Sequence, residues 1–132
     1  MDMAYKILVV DDDNNLAEFF SEGLIKEGYE VAVANDGEEA LEKVEKEKPD
    51  IVILDLMMPK LNGFEVLLKM RQKYKKWIPV IISSAEKDMV SVKKAYDMEA
   101  DHYLTKPCGL DTVLKGVRIM ISLIPLRAQE GQ

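Results

Sequence analysis

Apolar and polar residues follow one another along the chain in a pattern that predicts five strands, each followed by a helix. Three of the apolar runs, "KILVV", "IVIL" and "VIIS", show no alternation, which is typical of strands covered on both faces. These three runs are therefore expected at the centre of a sheet. The predicted strands are Tyr5–Val10, Glu30–Ala34, Ile51–Leu54, Val80–Ser83 and His102–Leu104.

Segments with helical spacing of apolar residues follow each strand. The first helix is predicted over Asn14–Glu27, before the helix stop at Gly28, and the second ends before Pro49. The third and fourth are predicted in "NGFEVLLKMRQKY" and "KDMVSVKKAYDM", and the fifth begins near Leu110. This alternation implies an open α/β sheet of parallel strands, with right-handed crossovers and helices on both faces.

The fifth helix is apolar on more than one face. We expect one stripe to cover the sheet and three further apolar residues to lie off it. A second apolar face needs another surface to bury it, which would be a homodimer contact or a docking surface for a partner or output domain. The alternative is that these residues are apolar side chains scattered singly on the surface. The stripe comprises Leu110, Val113, Leu114, Val117, Ile121 and Ile124, and the residues off it are Ile119, Met120 and Leu123.

The length of 132 residues predicts one compact domain over residues 1–125, with residues 126–132 as a C-terminal tail or the start of a linker. A formal net charge of -6 argues against direct binding of nucleic acid or a membrane surface, because both are polyanions. The single cysteine, Cys108, cannot form an internal disulfide, and neither a signal-peptide pattern nor a membrane-spanning apolar run is present. We therefore expect a cytoplasmic protein.

Polar side chains follow four of the five predicted strands. Carboxylates occur at Asp11–Asp13 and Asp55, hydroxyls at Ser83–Ser84, and a hydroxyl and an amine at Thr105–Lys106. In an open parallel sheet, ligands bind outside the carboxyl ends of the strands, where the strand order reverses. The sequence therefore predicts a site at this edge of the sheet.

Carboxylates that converge at one edge repel one another unless a cation joins them. Oxygen ligands without histidine or paired cysteine favour a hard ion such as Mg²⁺, and Mn²⁺ suits the same ligands. Lys106 then provides a positive charge for a phosphoryl group, and Ser84 a hydrogen-bond donor. The chemistry indicated is phosphoryl transfer to or from an aspartate.

The motifs "ILVVDDD", "DIVILDLMMPKLNGFEVL", "PVIISSAE" and "DHYLTKPC" resemble, in order and spacing, the receiver domains of bacterial two-component response regulators, of which the chemotaxis response regulator is the single-domain type. The resemblance covers nearly the whole chain. It implies a flavodoxin-like, doubly wound sheet of five parallel strands in the order 2-1-3-4-5, with five helices.

The resemblance also implies roles for individual residues. Asp55 would accept a phosphoryl group from the phosphohistidine of a sensor histidine kinase or a histidine phosphotransfer protein. Mg²⁺ would be held by Asp11, Asp12, Asp55 and the backbone carbonyl of Met57. Met57 and Glu86 occupy positions that tune the lifetime of the phosphoryl group. Such a protein is a signalling phosphoacceptor with self-catalysed phosphotransfer and autodephosphorylation rather than an enzyme.

The same resemblance identifies Lys106 as the lysine of the site, with a cis peptide bond to Pro107. Ser84 and Tyr103 would form the switch, in which Tyr103 rotates inward when Ser84 moves toward the phosphoryl group. The change would reshape the surface formed by the fourth helix, fifth strand and fifth helix, which a partner or output domain reads.

Three residues depart from the common pattern of the family. Cys108 replaces a frequent phenylalanine, His102 a common aspartate and Glu99 a frequent glycine. Glu99 matters most, because a residue other than glycine strains a turn that needs a positive φ.

Two alternative functions compete with that of a receiver. A small phosphatase of the haloacid-dehalogenase type would use Asp11 as nucleophile and Asp13 as acid–base, but it leaves Asp55 idle and finds Asn15 where threonine or valine is usual. A pseudo-receiver would bind partners without phosphorylation. For Asp13 itself, a simpler interpretation is the N-cap of the first helix.

Overall fold

The computed structural model describes the backbone of residues 4–130 and the side chains of residues 4–125. Within them, strands and helices alternate as predicted, with bounds within two residues of those expected. They are β1 Lys6–Val10, α1 Asn14–Lys26, β2 Glu30–Ala34, α2 Gly37–Glu47, β3 Ile51–Leu54, α3 Gly63–Lys73, β4 Val80–Ser84, α4 Met89–Asp97, β5 His102–Thr105 and α5 Leu110–Glu130.

The five strands form one sheet in the order β2-β1-β3-β4-β5, and every neighbouring pair is parallel. The predicted flavodoxin-like topology is confirmed. Strand order reverses between β1 and β3, whose last residues Val10 and Leu54 are partners in the register. Because Asp11 and Asp55 directly follow these residues, the fold sets their backbones side by side at the reversal point.

Each face of the sheet is covered by its own apolar core. On one face, α2, α3 and α4 bury a cluster that includes Leu54, Leu67 and Met70. On the other face, α1 and α5 bury a cluster that includes Phe20 and Val117. Full burial of a Leu or Phe side chain contributes about 1.5–3 kcal/mol, so these two layers hold the strand ends in place.

The fifth helix differs from the prediction at one residue. Met120 is buried in the core between α5 and the sheet, so its assignment off the stripe was wrong. The spacing of Val113, Val117 and Met120 returns to the same side of the helix after about two turns, which explains the burial. Ile119 and Leu123 are exposed, as expected.

The backbone of α5 remains helical through residues 126–130, where a tail or linker was expected, and residues 131–132 lie outside the described part. Across residues 4–130, no helix combines the length and apolar character that crossing a membrane requires.

The turn between α4 and β5 has the backbone conformation that makes glycine common in it. Glu99 adopts a φ of 69°, in the left-handed region. Its carbonyl accepts hydrogen bonds from Nε and an Nη of Arg71, at 3.1 and 2.8 Å. The second of these guanidinium nitrogens also lies 2.9 Å from Oδ2 of Asp101. The turn is thus held from α3 despite its strained residue.

Candidate functional site

Three carboxylates meet at the carboxyl ends of β1 and β3. One ligand oxygen from each of Asp11, Asp12 and Asp55 lies within 4.8 Å of the other two. Asp11 and Asp55 are buried, whereas Asp12 is exposed. The backbone N–H of Asp55 donates to the carbonyl of Val10 at 3.0 Å, which extends the pairing of the two strands into the site.

Lys106 places its ammonium group between the two buried carboxylates. Its Nζ lies 2.7 Å from Oδ2 of Asp11 and 3.4 Å from Oδ2 of Asp55. The backbone N–H of Lys106 donates to the carbonyl of Ser84 at 2.8 Å, so β4 fixes the start of the loop after β5. The peptide bond between Lys106 and Pro107 is cis.

Burial dominates the electrostatics of Asp55. Loss of solvent raises the pKa of its carboxyl to about 6, Lys106 opposes this rise, and the charge of Asp11 adds to it. At Lys106 burial alone would lower the pKa, but the hydrogen bond to Asp11 and the charges of Asp55 and Asp11 outweigh it and raise the pKa. One ammonium group therefore does not fully offset the two buried carboxylates.

This donor set fits a hard divalent cation. Three carboxylate oxygens converge, and the raised pKa of Asp55 marks negative charge that a cation would stabilise. The N–H of Met57 donates to Oδ1 of Asp55 at 3.3 Å, so the loop after β3 folds back over the carboxylate. Gly63 permits this fold, because a Cβ atom there would lie 2.3 Å from the carbonyl oxygen of Asp55.

A second pair of side chains holds the loop between β4 and α4. The Oγ of Ser84 accepts a hydrogen bond from the N–H of Glu86 at 3.1 Å, and the hydroxyl of Tyr103 donates to the carbonyl of Glu86 at 2.6 Å. Ser84 is buried and Tyr103 half-buried, and burial raises the pKa of the Tyr103 hydroxyl. The two polar groups of the Glu86 backbone are therefore bound by Ser84 and Tyr103, which couples the positions of these two side chains.

Asp13 belongs to the helix rather than to the carboxylate cluster. Its Oδ1 accepts hydrogen bonds from the backbone N–H groups of Asn15 and Leu16, both at 3.1 Å. This confirms the N-cap interpretation and commits Asp13 to α1. The acid–base role that the phosphatase alternative assigns to Asp13 has no support from this geometry.

Sequence reasoning overlooked Asn35, which lies in the turn after β2. Its side-chain nitrogen donates to the carbonyl of Asp11 at 3.3 Å and to Oδ1 of Asn14 at 2.6 Å. Asparagine before "DG" is ordinary turn composition, and only the pairing of β1 with β2 brings this turn to the acidic loop.

The family model described as the response regulator receiver domain matches residues 7–118. Among curated proteins, the alkaline phosphatase synthesis transcriptional regulatory protein PhoP of Bacillus subtilis (strain 168) is 43% identical over 105 residues, which span 80% of this chain and 43% of that protein. Response regulator RR06 of Streptococcus pneumoniae serotype 2 is 41% identical over 115 residues, or 87% of this chain and 52% of the relative. The chain thus spans about half the length of these two relatives.

Solved structures show the same architecture. A CheY-like response regulator receiver domain protein from Methanospirillum hungatei JF-1 superimposes with a TM-score of 0.89 at 25% identity, covering 95% of this chain and 99% of that chain. The chemotaxis response regulator CheY4 of Vibrio cholerae gives a TM-score of 0.84 at 32% identity, covering 89% of this chain and 99% of that chain.

Proposed function

Because this chain belongs to the response regulator receiver domain family, we propose that it accepts a phosphoryl group on Asp55 from the phosphohistidine of a sensor histidine kinase or a histidine phosphotransfer protein. The observation that carries the proposal is the position of Asp55, a buried carboxylate beside both Asp11 and the Lys106 ammonium group. The reaction breaks the N–P bond of the phosphohistidine and forms an O–P bond to Asp55, with the imidazole of the donor as leaving group.

The neighbours of Asp55 support both the nucleophile and the transferred group. Asp55 attacks as the carboxylate, and the charge of Lys106 favours this form. As the phosphoryl group arrives, Lys106 neutralises one of its oxygens, and Ser84 donates a hydrogen bond to another. Self-catalysed transfer of this kind, with autodephosphorylation, makes the protein a phosphoacceptor rather than an enzyme acting on a separate substrate.

Asp11, Asp12, Asp55 and the backbone carbonyl of Met57 would hold Mg²⁺ or Mn²⁺. When bound, the cation supplies positive charge that offsets the carboxylates and the phosphoryl oxygens. The support is the convergence of three carboxylate oxygens, of which two belong to buried residues.

Phosphorylation would then alter the face formed by α4, β5 and α5. The new group carries nearly two negative charges and draws the Ser84 hydroxyl toward it. Ser84 and Tyr103 each hold the backbone of Glu86, so a movement of Ser84 changes the position in which the ring of Tyr103 is held. Met89 and Val90, both exposed in the first turn of α4, give this face apolar contacts for a partner.

The partner that reads this face would be an output domain, a target protein or a second copy of the chain, through Ile119 and Leu123 of α5. An output domain is favoured by the length of the curated relatives, of which the chain spans about half. We place the protein in the cytoplasm. Because its net charge is -6, we assign it neither nucleic-acid nor membrane binding of its own. We assign residues 1–125 to the receiver domain.

The test is chemical mapping of the phosphorylated residue. The protein is incubated with Mg²⁺ and acetyl phosphate, the acyl phosphate is trapped by borohydride reduction, and the modified residue is located by peptide mass spectrometry. The proposal predicts label on Asp55 that is lost with chelator and in Asp55→Asn, and retained in the control Asp97→Asn. Label on Asp11 instead would favour the phosphatase.

An unlabelled protein would next be tested with beryllofluoride. A shift of the Tyr103 NMR resonances on addition of beryllofluoride would indicate a receiver that requires its own kinase. The absence of a shift would favour the pseudo-receiver and contradict the proposal.

A further inference from the structure

Asn35 joins three elements around the acidic loop after β1. Its side-chain nitrogen bonds the carbonyl of Asp11 and Oδ1 of Asn14, the first residue of α1. Its backbone N–H donates to Oε1 of Glu39 in α2 at 2.6 Å. The end of β1, the start of α1 and the first turns of α2 are therefore connected through one residue.

The Asn35 side chain is one of several partners that hold Asp11 in place. The backbone N–H of Asp11 donates to the carbonyl of Ala34 at 3.0 Å, and its carbonyl accepts from Asn35, so the last residue of β2 and the residue after it bind both polar groups of its backbone. The side chain is fixed as well, since Oδ1 accepts from the N–H of Asp13 at 3.0 Å and Oδ2 contacts Lys106. The direction of the Asp11 carboxylate depends on these hydrogen bonds to its backbone and side chain.

The position of Asp12 also depends on the hydrogen bonds of Asn35, although Asn35 does not bond Asp12 itself. The carboxylate of Asp12 is exposed and belongs to the three-residue acidic cluster, and its place is set by the turn between Asp11 and Asn14. Asn35 bonds that turn on both sides of Asp12, at the carbonyl of Asp11 and at the side chain of Asn14. A change at residue 35 would loosen the turn without removing any carboxylate.

We propose that Asn35 is a positioning residue for the divalent-cation site, which it supports by fixing the turn that presents Asp11 and Asp12. The role rests on the proposed function, because it concerns the same carboxylates. Residues that orient metal ligands typically change metal affinity about 10- to 100-fold when mutated. Asn35 is exposed and acts through the backbone and Asn14, so Asn35→Ala should weaken Mg²⁺ binding by about three- to tenfold.

The experiment is calorimetric titration of Mg²⁺ into wild-type protein and Asn35→Ala, with the free energy of unfolding in EDTA measured on the same samples. Asn15→Ala is the matched control, because Asn15 is an exposed asparagine in the first turn of α1, next to Asn14, and its hydrogen bond to Asp13 is made by its backbone N–H. The control should bind Mg²⁺ as wild type does. A purely structural role for Asn35 would lower stability and leave the dissociation constant for Mg²⁺ unchanged.

Asn14→Ala and the double variant make the test specific for the contact. If the Asn35–Asn14 bond transmits part of the effect, the loss of affinity in the double variant is smaller than the product of the two single losses. Asn35→Ser replaces Asn35→Ala should the latter fold poorly. A dissociation constant for the Asn35 variant within twofold of wild type would overturn the role of Asn35 alone, whereas a wild-type protein that binds no Mg²⁺ would overturn the proposed cation site as well.

Discussion

The ammonium nitrogen of Lys106 lies 2.7 Å from Oδ2 of Asp11, joining residues that are 95 positions apart in the chain. Both side chains are largely withdrawn from solvent, at 17% and 6% exposed. The contact connects the ends of two strands that are not neighbours in the sheet, β1 and β5. It therefore links the carboxylate site to the strand that carries Tyr103.

Removal of the lysine should destabilise the metal-free protein. Lys106→Met leaves Asp11 and Asp55 without their buried counter-charge, and the loss of one partner from such a pair costs about 3 kcal/mol of unfolding free energy. Urea unfolding at pH 7 in EDTA measures the change, and Mg²⁺ should restore part of it. The control is Lys93→Met, whose ion pair with Asp97 is exposed and is worth less than about 1 kcal/mol. Equal effects of the two substitutions would contradict this account of Lys106.

The raised pKa of Asp55 predicts how stability depends on pH without metal. The pKa is about 6 in the folded protein against an ordinary 3.8, so between these values the folded state binds the proton more tightly than the unfolded chain. The contribution of Asp55 to the free energy of unfolding therefore falls as pH rises from about 4 to 6, by about 2 kcal/mol after allowance for solvent screening.

Asp55→Asn isolates this contribution, because the other titrating groups remain. Urea unfolding of both proteins at pH 4 and pH 6.5 in EDTA should show the variant gaining stability relative to wild type at the higher pH. Mg²⁺ should reduce the difference, since it favours the ionised carboxylate. A difference that does not change with pH would indicate that Asp55 keeps an ordinary pKa.

Much of the fold and of the site follows from local sequence signals. Apolar runs without polar alternation predict β1, β3 and β4. The polar residues at the ends of these runs, Asp11, Asp55 and Ser84, are the predicted site residues. Those signals are strong because central parallel strands are buried on both faces. The edge of the sheet that carries the site then follows from the rule that parallel strands end together.

Other features depend on contacts between segments that are distant in sequence. Asn35 has the composition of an ordinary turn, and its role becomes visible only when β2 pairs with β1. The sequence places Met120 off the sheet-covering stripe of α5, because helical spacing alone does not show how deeply α5 packs against the sheet. The bond from Tyr103 to Glu86 depends in the same way on the path of the loop before α4.

Glu99→Gly should stabilise the protein. Glu99 has a φ of 69°, and a left-handed residue other than glycine costs about 1 kcal/mol. Glycine keeps the carbonyl that accepts from Arg71, so the free energy of unfolding should rise by about 0.5–1 kcal/mol after the entropy cost of glycine. Glu42→Gly, in the middle of α2, should lower it by about 1 kcal/mol. Thermal unfolding compares the two, and a loss of stability in Glu99→Gly would show that its side chain matters more than the strain.

Arg71→Met should destabilise the fold without altering phosphorylation. The guanidinium donates to the carbonyls of Glu99 and Ile78 and contacts Asp101 at 2.9 Å. Its loss should cost about 3 kcal/mol in urea unfolding, because the Arg71–Asp101 pair is largely buried. The cluster adjoins the amino ends of β4 and β5, opposite the site, so the rate of labelling by acetyl phosphate should match that of wild type. A slower rate in fully folded protein would reveal coupling between the two ends of the sheet.

Met57 should govern how long the phosphoryl group survives on Asp55. Its side chain is 60% exposed, and its backbone N–H bonds the Asp55 carboxylate. A long, exposed side chain two residues after Asp55 would obstruct the water that attacks phosphorus once Asp55 is phosphorylated. Met57→Ala should therefore speed dephosphorylation by about three- to tenfold, which corresponds to about 0.7–1.4 kcal/mol of barrier.

The measurement follows the loss of phosphoprotein after removal of acetyl phosphate, in saturating Mg²⁺. Met57→Leu keeps the number of non-hydrogen atoms in the side chain and should retain the wild-type rate, which separates bulk from the chemistry of sulfur. Met89→Ala removes a methionine that is 80% exposed in α4, and it should also leave the rate unchanged because it belongs to α4 and not to the loop after β3 that follows Asp55. A rate in Met57→Ala equal to that of wild type would exclude shielding by Met57 and leave Glu86 as the residue to test for control of the lifetime.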